Sequence, residues 1–222
     1  MSEVNLERAR FNMVEQQIRP WEALHERILD ALEAPPREDF VPTGHRNLAY
    51  ADLQLPLHHD EVMLEPRVEA RMLQALDPQP GERALEVGRR QRLLRCLPGT
   101  ARRRGAPAST SVRTSASWPR STSPRRACKM CRLEVGDAAA GWDDGQRYDV
   151  IAVTGSLPEL HEGFHRSLAI GGRLFLIVGT APIMEALLIT RMDEDQVRAA
   201  ESLFDTSVRA LRGARARVRF EL

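Results

Sequence analysis

The spacing of apolar residues predicts helices in the N-terminal third of the chain. Apolar side chains recur every three or four residues over Leu6–Ile18 and again over Trp21–Leu32, as one face of an amphipathic helix requires. The pair Pro35-Pro36 is expected to end the second helix, because proline lacks an amide donor and disfavours helix in the residue before it. After a loop-like stretch over Phe40–Leu57, helical spacing resumes over Pro66–Leu76.

From Arg83 onward the pattern changes to short apolar runs, which are typical of buried strands. The runs are Arg83–Gly88, Tyr148–Thr154 and Arg173–Gly179, and a helix is predicted over Pro158–Leu168 between the last two. Strand, helix and strand at this spacing indicate a βαβ unit and therefore a parallel α/β sheet. The tail contains weaker strand candidates, which are expected to add antiparallel strands: Ala186–Arg191, Glu201–Thr206 and Val218–Leu222.

Length and composition narrow the class of protein. A chain of 222 residues corresponds to one large domain or to a domain with a cap. Hydrophobic residues make up 42% and charged residues 28%, which favours a globular protein over a disordered one. No apolar run approaches the roughly 18 residues that a membrane span needs. The first residues contain no apolar signal core, so a cytoplasmic location is expected.

The formal net charge of +1 hides a strong asymmetry. The segment Arg89–Cys131, called here the Arg-rich window, contains eleven Arg, one Lys and no Asp or Glu, which gives it a charge of +12. The rest of the chain carries −11. The window also contains all three cysteines and the only lysine, so its composition is foreign to its surroundings.

An ordered series of short blocks runs over about residues 6–190 and is interrupted only by the Arg-rich window. The blocks are Met13–Ile18, Leu29–Leu32, Pro36–Pro42, Ala49–Asp52, Leu55–Leu57, Leu85–Gly88, Gly136-Asp137, Gly141-Trp142, Tyr148–Thr154 and Gly171–Gly179. In order and spacing they resemble the protein-L-isoaspartate O-methyltransferase family of class I S-adenosylmethionine-dependent methyltransferases. The resemblance implies an α/β fold with a Rossmann-like methyltransferase sheet: a helical N-terminal cap (residues 1–60), a cofactor-binding domain (61–180) and antiparallel C-terminal strands (181–222).

The resemblance also implies a cofactor, S-adenosylmethionine, and a site for it. A strand that ends in a glycine turn lets the backbone approach a nucleoside cofactor, which nominates Gly88, with Glu86 placed to accept hydrogen bonds or complement the sulfonium charge. In the family, the acid of the Gly-Asp pair contacts the adenine amino group, which nominates Asp137 with Ala138 beside it. The Gly-Asp pair taken alone is typical of an ordinary turn.

The implied reaction is methyl transfer to the α-carboxylate of an isoaspartyl residue in a damaged protein or peptide. A carboxylate with a pKa near 4 is already ionised at neutral pH, so the reaction needs no strong general base. The expected task of the protein is alignment of the reactants and exclusion of water.

Two departures from the family pattern bear on this function. The family has a Thr-Ile-Ser-x-Pro stretch whose serine lines the active site, and Leu64 stands at that position here within Val62–Pro66. Leucine can neither donate nor accept a hydrogen bond, so the hydroxyl's role in orienting the carboxylate is lost. After Gly88, the family's Gly-x-Gly-x-Gly-Tyr is replaced by bulky polar residues over Arg89–Leu93, and the window offers no acid for the ribose hydroxyls.

A shifted reading frame is a hypothesis that accounts for the Arg-rich window. Codons permitted for Arg90–Leu94 include CGG-CAG-CGG-CTA-C. When the reading frame begins one nucleotide later, the same nucleotides encode Gly-Ser-Gly-Tyr. Of the 32 basic residues, 31 are Arg, as a GC-rich gene would give, and such a gene's shifted frames encode Arg, Ala, Pro, Ser and Cys. The gene's DNA sequence tests the hypothesis, because it predicts a compensating insertion and deletion relative to close relatives.

Other functions remain open from the residues alone. A non-catalytic binding or scaffold protein with a methyltransferase fold is the main alternative. A third possibility is an Arg-driven nucleic-acid binder. Nucleic acid is disfavoured because the Arg-rich window has only one aromatic residue and no recognisable nucleic-acid-binding module. A metal or redox role is also disfavoured. The C-x-x-C cysteines have only Cys96 as a further thiol, the adjacent histidines are more typical of a solvated loop than of a ligand pair, and no third ligand suggests itself for the histidines spaced i, i+4. A membrane partner is not expected, and the sequence does not determine the oligomeric state. The candidate pairs are Cys128 with Cys131, His58 with His59, and His161 with His165.

Overall fold

The centre of the fold is a seven-stranded sheet in which five neighbouring strands are parallel. The structure is a computed structural model that describes residues 5–23, 25–57, 62–88, 109–113, 131–193 and 201–214. Among these residues the strands are β1 (Leu55–Pro56), β2 (Val62–Met63), β3 (Ala84–Val87), β4 (Ser109–Arg113), β5 (Cys131–Val135), β6 (Tyr148–Leu157), β7 (Leu168–Thr180), β8 (Ile183–Thr190) and β9 (Glu201–Thr206). The large sheet has the order β5-β4-β3-β6-β7-β8-β9, and β1 and β2 form a separate antiparallel pair.

The helices lie mostly in the N-terminal third. Two short 3₁₀ turns connect the second helix to β1, at Arg37–Asp39 and Thr43–Leu48. Among the described residues, no helix has the length and apolar character that crossing a membrane would take. The α-helices are α1 (Leu6–Asn12), α2 (Glu26–Glu33), α3 (Pro66–Leu76) and α4 (Glu162–Ser167).

The predicted N-terminal helices form, with differences at their ends. The first continues from α1 as a π-helix, Met13–Ile18, whose wider turn still buries Met13, Val14 and Ile18. The second begins only at Glu26, because a 3₁₀ turn ends at Glu22 in the left-handed region with φ +60°. The predicted loop at Phe40–Leu57 contains the second 3₁₀ turn and β1. The bounds predicted for α3 are confirmed, with proline at its first position.

The predicted α/β sheet is confirmed. Strand β3 pairs in parallel with β4 and β6, and β6 pairs in parallel with β7 across α4. The helix α4 is shorter than predicted, because His161 is extended at its N-terminal end and the chain enters β7 at Leu168. Strands β8 and β9 add to the sheet in antiparallel orientation, as expected for the tail. The strand predicted over Val218–Leu222 lies outside the described residues.

Each face of the sheet has its own core: the first core lies on the side of the N-terminal cap and α3, and the second core lies on the side of α4. Residues of β3 alternate between the two: Ala84 packs with the N-terminal helices and α3, whereas Leu85 and Val87 pack with Phe164 of α4. The buried residues of the N-terminal cap therefore share one core with the sheet. The division of the chain at residues 60 and 180 stays a prediction. The cap and α3 cover one face of the sheet and leave the carboxyl ends of its parallel strands at one edge.

Candidate active site

The carboxyl end of β3 carries two of the predicted site residues. Glu86 lies within the strand and is only 3% exposed. Gly88 follows the strand with φ +131°, a backbone conformation that side chains rarely adopt. A Cβ atom at Gly88 would lie 2.2 Å from Oγ1 of Thr154, which itself donates a hydrogen bond to the Val87 carbonyl at 3.2 Å. The turn after β3 therefore requires glycine, for its backbone conformation and for its contact with β6.

The end of β5 carries the other two predicted site residues. Oδ1 of Asp137 accepts a hydrogen bond from the amide of Ala139 at 3.0 Å, and the Asp137 side chain is exposed. Ala138 is fully buried in the second core. Gly136 lets the indole of Trp142 approach, since a Cβ there would lie 2.7 Å from the ring. The turn thus holds the Asp137 carboxylate at the edge of the sheet where β3 also ends.

The geometry of the sheet sets the separation between these two turns. Strands β3 and β5 are separated by β4, so their ends are two inter-strand spacings apart, or about 10 Å. A nucleoside cofactor can extend between the backbone at Gly88 and the carboxylate of Asp137. The glycine turn and the exposed acid at one sheet edge fit S-adenosylmethionine on this side. The structure brings Glu86, Gly88, Asp137 and Ala138 together at this edge; their binding roles stay predictions.

The tail after β9 closes over the same edge. Ser156 of β6 donates from its amide to the carbonyl of Arg209 at 3.0 Å and accepts from the amide of Leu211 at 2.9 Å. Its hydroxyl also donates to the carbonyl of Val208 at 3.1 Å. Farther along, a Cβ at Gly213 would lie 2.8 Å from both carboxylate oxygens of Asp137. The tail therefore runs from the end of β6 to the predicted adenine contact.

Leu64, the residue at the family's serine position, is fully buried in the first core. Its side chain thus offers no polar group to a substrate. The next residue, Glu65, accepts a hydrogen bond at Oε1 from the Gln54 side chain at 3.1 Å, and the same Gln54 nitrogen donates to the carbonyl of Ser207 at 2.7 Å. The segment that follows β2 is consequently tied both to the preceding loop and to the tail.

A buried ion pair between Arg37 and Glu69 lies behind this segment. Glu69 is fully buried in α3, and burial raises its pKa to about 7, although Arg37 acts in the opposite direction. The carboxylates of Glu86 and Glu65 also raise the pKa of Glu69. Neither residue of this pair stands out in the sequence as a candidate for chemistry. Arg37 falls within a family block, but no local pattern distinguishes a charge buried in the core from one on the surface.

The other residues considered for chemistry do not form a metal site among the described residues, where no three His, Cys, Asp or Glu side chains are arranged to hold a metal ion. His161 lies at the start of α4, and His165 is half-buried within the helix, where burial lowers its pKa. Cys131 begins β5. The remaining members of the candidate pairs, His58, His59 and Cys128, lie outside the described residues. Most of the Arg-rich window also lies outside them.

Comparison with known proteins identifies sequence relatives. The model of the family described as Protein-L-isoaspartate(D-aspartate) O-methyltransferase matches residues 8–204. The chain is 33% identical over 195 residues to protein-L-isoaspartate O-methyltransferase 1 of Rhodopseudomonas palustris (strain HaA2), covering 86% of this chain and 78% of the relative. It is 32% identical over 193 residues to the protein-L-isoaspartate O-methyltransferase of Aeropyrum pernix, covering 86% and 74%.

Two solved structures share the fold. One is a protein-L-isoaspartate O-methyltransferase with a TM-score of 0.66 and 20% identity, which covers 92% of this chain, while this chain spans 65% of that one. The other is a Plasmodium falciparum chain described as a protein-L-isoaspartate O-methyltransferase in complex with S-adenosyl-L-homocysteine, with a TM-score of 0.65 and 16% identity, covering 94% and 99%. At these identities the likeness concerns the fold, and it confirms the expected Rossmann-like methyltransferase sheet.

Proposed function

The chain belongs to the protein-L-isoaspartate O-methyltransferase family, and from this membership we propose that it transfers a methyl group to the carboxylate of isoaspartyl residues in damaged proteins. The observation that carries the proposal is the convergence of the glycine turn at Gly88 and the exposed carboxylate of Asp137 at one edge of the sheet. The match to the family extends on both sides of this edge, from the N-terminal cap to β9.

The cofactor of the proposed reaction is S-adenosylmethionine, which supplies an activated methyl group when bound. The backbone at Gly88 gives the cofactor close access to the end of β3, and Glu86 is placed to accept hydrogen bonds from it or to complement its sulfonium charge. Asp137 accepts hydrogen bonds from the adenine amino group, and the buried Ala138 fixes the position of the turn. These four assignments rest on the family motif and on the placement of the residues at one edge.

The chain's own residues have little proton chemistry to perform. The acceptor carboxylate is ionised at neutral pH, so the protein contributes orientation and exclusion of water. The tail, bound to Ser156 at the end of β6, and the segment of Leu64 and Glu65, tied to it through Gln54, form the wall on the acceptor side. The methyl ester then collapses to a succinimide without the enzyme and returns in part to normal aspartate, which makes the proposed role protein repair.

A non-catalytic methyltransferase-fold protein is the second candidate. It is favoured by the buried Leu64, which replaces the family's active-site hydroxyl, and by the polar residues Arg89–Leu93 that replace its glycine-rich stretch. In this case the chain binds a protein partner without transferring methyl groups. The cytoplasmic location expected from the sequence stays a prediction, as does the exclusion of nucleic acid as a partner.

Calorimetric titration with S-adenosylhomocysteine and a methyl-transfer assay on an isoaspartyl peptide separate the two candidates. We expect saturable binding, and we expect Asp137→Ala to weaken it roughly tenfold, the equivalent of about one hydrogen bond. Asp143→Ala is a matched control, because Asp143 is likewise exposed and likewise accepts a hydrogen bond from the amide two residues ahead. A folded protein that releases no heat with S-adenosylhomocysteine and does not methylate the peptide refutes the enzymatic proposal.

A further inference from the structure

The guanidinium of Arg37 connects three segments that are distant in sequence. Its Nε donates to the carbonyl of Ala49 at 2.8 Å, one Nη donates to the carboxylate of Glu69, and the other donates to the carbonyl of Leu64. Arg37 itself is buried. The side chain of Arg37 thus links the 3₁₀ turn Arg37–Asp39 to the start of the Ala49–Asp52 block, to helix α3 and to the residue at the family's serine position.

Hydrogen bonds, rather than close packing, hold the orientation of this guanidinium. A cavity of about 30 Å³ lies beside it, lined by Arg37 and Glu69 together with Met63, Phe40 and Leu73. Packing therefore leaves the side chain unsupported on that side. The planar fork of an arginine can make its bonds to three acceptors in one fixed geometry, which a lysine ammonium on a flexible stem does not reproduce.

Burying this pair brings little stability by itself. Charges moved from water into a core are costly, and a buried ion pair is often no more stabilising than apolar side chains of similar volume. Most side chains of the first core are apolar, with Leu64 and Leu73 fully or almost fully buried, so an apolar pair would pack against them. The directed bonds of Arg37 to main-chain carbonyls distinguish it from such a pair, because they specify where the backbone of Leu64 lies.

The position of the Leu64 main chain matters because its side chain contributes no polar group. Leu64 is followed by Glu65, which is tied through Gln54 to the tail at Ser207. The acceptor side of the site is therefore assembled from backbone and from a chain of hydrogen bonds, and Arg37 is the buried end of that assembly. A shift at Arg37 would move the backbone of Leu64 and, with it, the acceptor wall.

We propose that Arg37 is a positioning residue for methyl transfer, which holds the backbone of Leu64 in place relative to the Ala49–Asp52 segment and thereby orients the methyl acceptor. This inference rests on the proposed function. It assigns to Arg37 no contact with substrate or cofactor. Its effect is expected mainly on the acceptor side, since the three hydrogen bonds of its guanidinium reach neither Gly88 nor Asp137.

The test compares Arg37→Lys, Glu69→Gln and the double variant Arg37→Met/Glu69→Met with the wild type. The double variant removes both charges together, so it is expected to fold, whereas Arg37→Met alone would leave an unpaired buried carboxylate. We expect kcat/KM for an isoaspartyl peptide to fall roughly 100-fold in the double variant, the loss expected when a reacting group is displaced by about 1 Å. The Kd for S-adenosylhomocysteine should change far less than kcat/KM, and Arg37→Lys should restore activity only in part.

The two possible failures are distinguishable. A double variant with wild-type kcat/KM, or one that loses cofactor affinity in proportion to activity, overturns the positioning role. A wild type without methyl-transfer activity refutes the proposed function instead, and hydrogen exchange then decides on Arg37. The double variant should exchange faster at residues 49–52 and 62–66, with β7 and β8 unchanged as an internal control, and equal exchange at residues 62–66 overturns the proposal.

Discussion

Replacing Gly88 by alanine tests whether the turn after β3 requires glycine because a side chain there would collide with Thr154. The substitution adds a single methyl group to a residue with φ +131°, and that methyl would lie 2.2 Å from Oγ1 of Thr154. Thr154 cannot move freely, because its hydroxyl donates to the Val87 carbonyl at 3.2 Å. The variant must therefore strain the backbone and displace a side chain of the neighbouring strand.

The two effects can be given separate magnitudes. A non-glycine residue in such a backbone conformation costs roughly 1–3 kcal/mol. Forcing an extra methyl into a packed contact costs roughly 1–3 kcal/mol more. The expected loss of about 2–6 kcal/mol is large beside the 5–15 kcal/mol that typically stabilises a folded domain.

Urea denaturation of three variants measures these contributions. Gly81→Ala is the matched control, because Gly81 also has positive φ, at +90°, but has open space where the methyl group would lie. It should show the backbone cost alone, so Gly88→Ala should be the more destabilised of the two by about 1–3 kcal/mol. Combining Gly88→Ala with Thr154→Ala should remove this difference. Equal unfolding free energies for Gly81→Ala and Gly88→Ala would refute the steric explanation.

Three further predictions concern the acid, the leucine and the tail. Because burial raises the pKa of Glu69 above the reference value of 4.5 to about 7, the folded protein holds this proton more tightly than the unfolded chain. Stability should therefore fall as pH rises from 4.5 to 7, and urea denaturation of Glu69→Gln should lack this fall. Leu64→Ser and Leu64→Ala should each lose about 2–5 kcal/mol of stability. The serine variant should have a higher kcat/KM for an isoaspartyl peptide than the alanine variant, and equal values would show that a hydroxyl at this position does not assist the reaction. Gly213→Val should weaken binding of S-adenosylhomocysteine in calorimetry, because its side chain collides with the Asp137 carboxylate, whereas Gly145→Val, at positive φ with open space, should bind normally.

Local apolar patterns were sufficient to predict most of the elements. The bounds of α3 follow from helical spacing and an initial proline, and the core strands β3, β6 and β7 follow from short apolar runs. These features depend on neighbours within a few residues, so they can be seen in the sequence. The two ends of α4 were less predictable, because the extended conformation of His161 and the early start of β7 depend on how these segments pack against the sheet.

Some features of the candidate site could likewise be predicted from the sequence, and others depend on the tertiary structure. The positions of Gly88 and Asp137 follow strands and can be recognised from family motifs, and the parallel sheet brings them to one edge. The reason that Gly88 must be glycine is different, because it depends on Thr154, a residue of another strand. Sequence indicates the glycine, but only the packing of β3 against β6 shows which atom excludes a side chain.

The sequence by itself determined the class of fold, the family and the position of the predicted cofactor residues, because each is carried by short-range patterns of apolar, glycine and acidic residues. Only the tertiary structure decided that Arg37 and Glu69 are buried together, that the tail binds Ser156, and that it passes over Asp137. These contacts join residues tens of positions apart. A charged residue has the same local pattern whether it faces water or a partner in the core, so its role is settled only when the chain folds back and places that partner beside it.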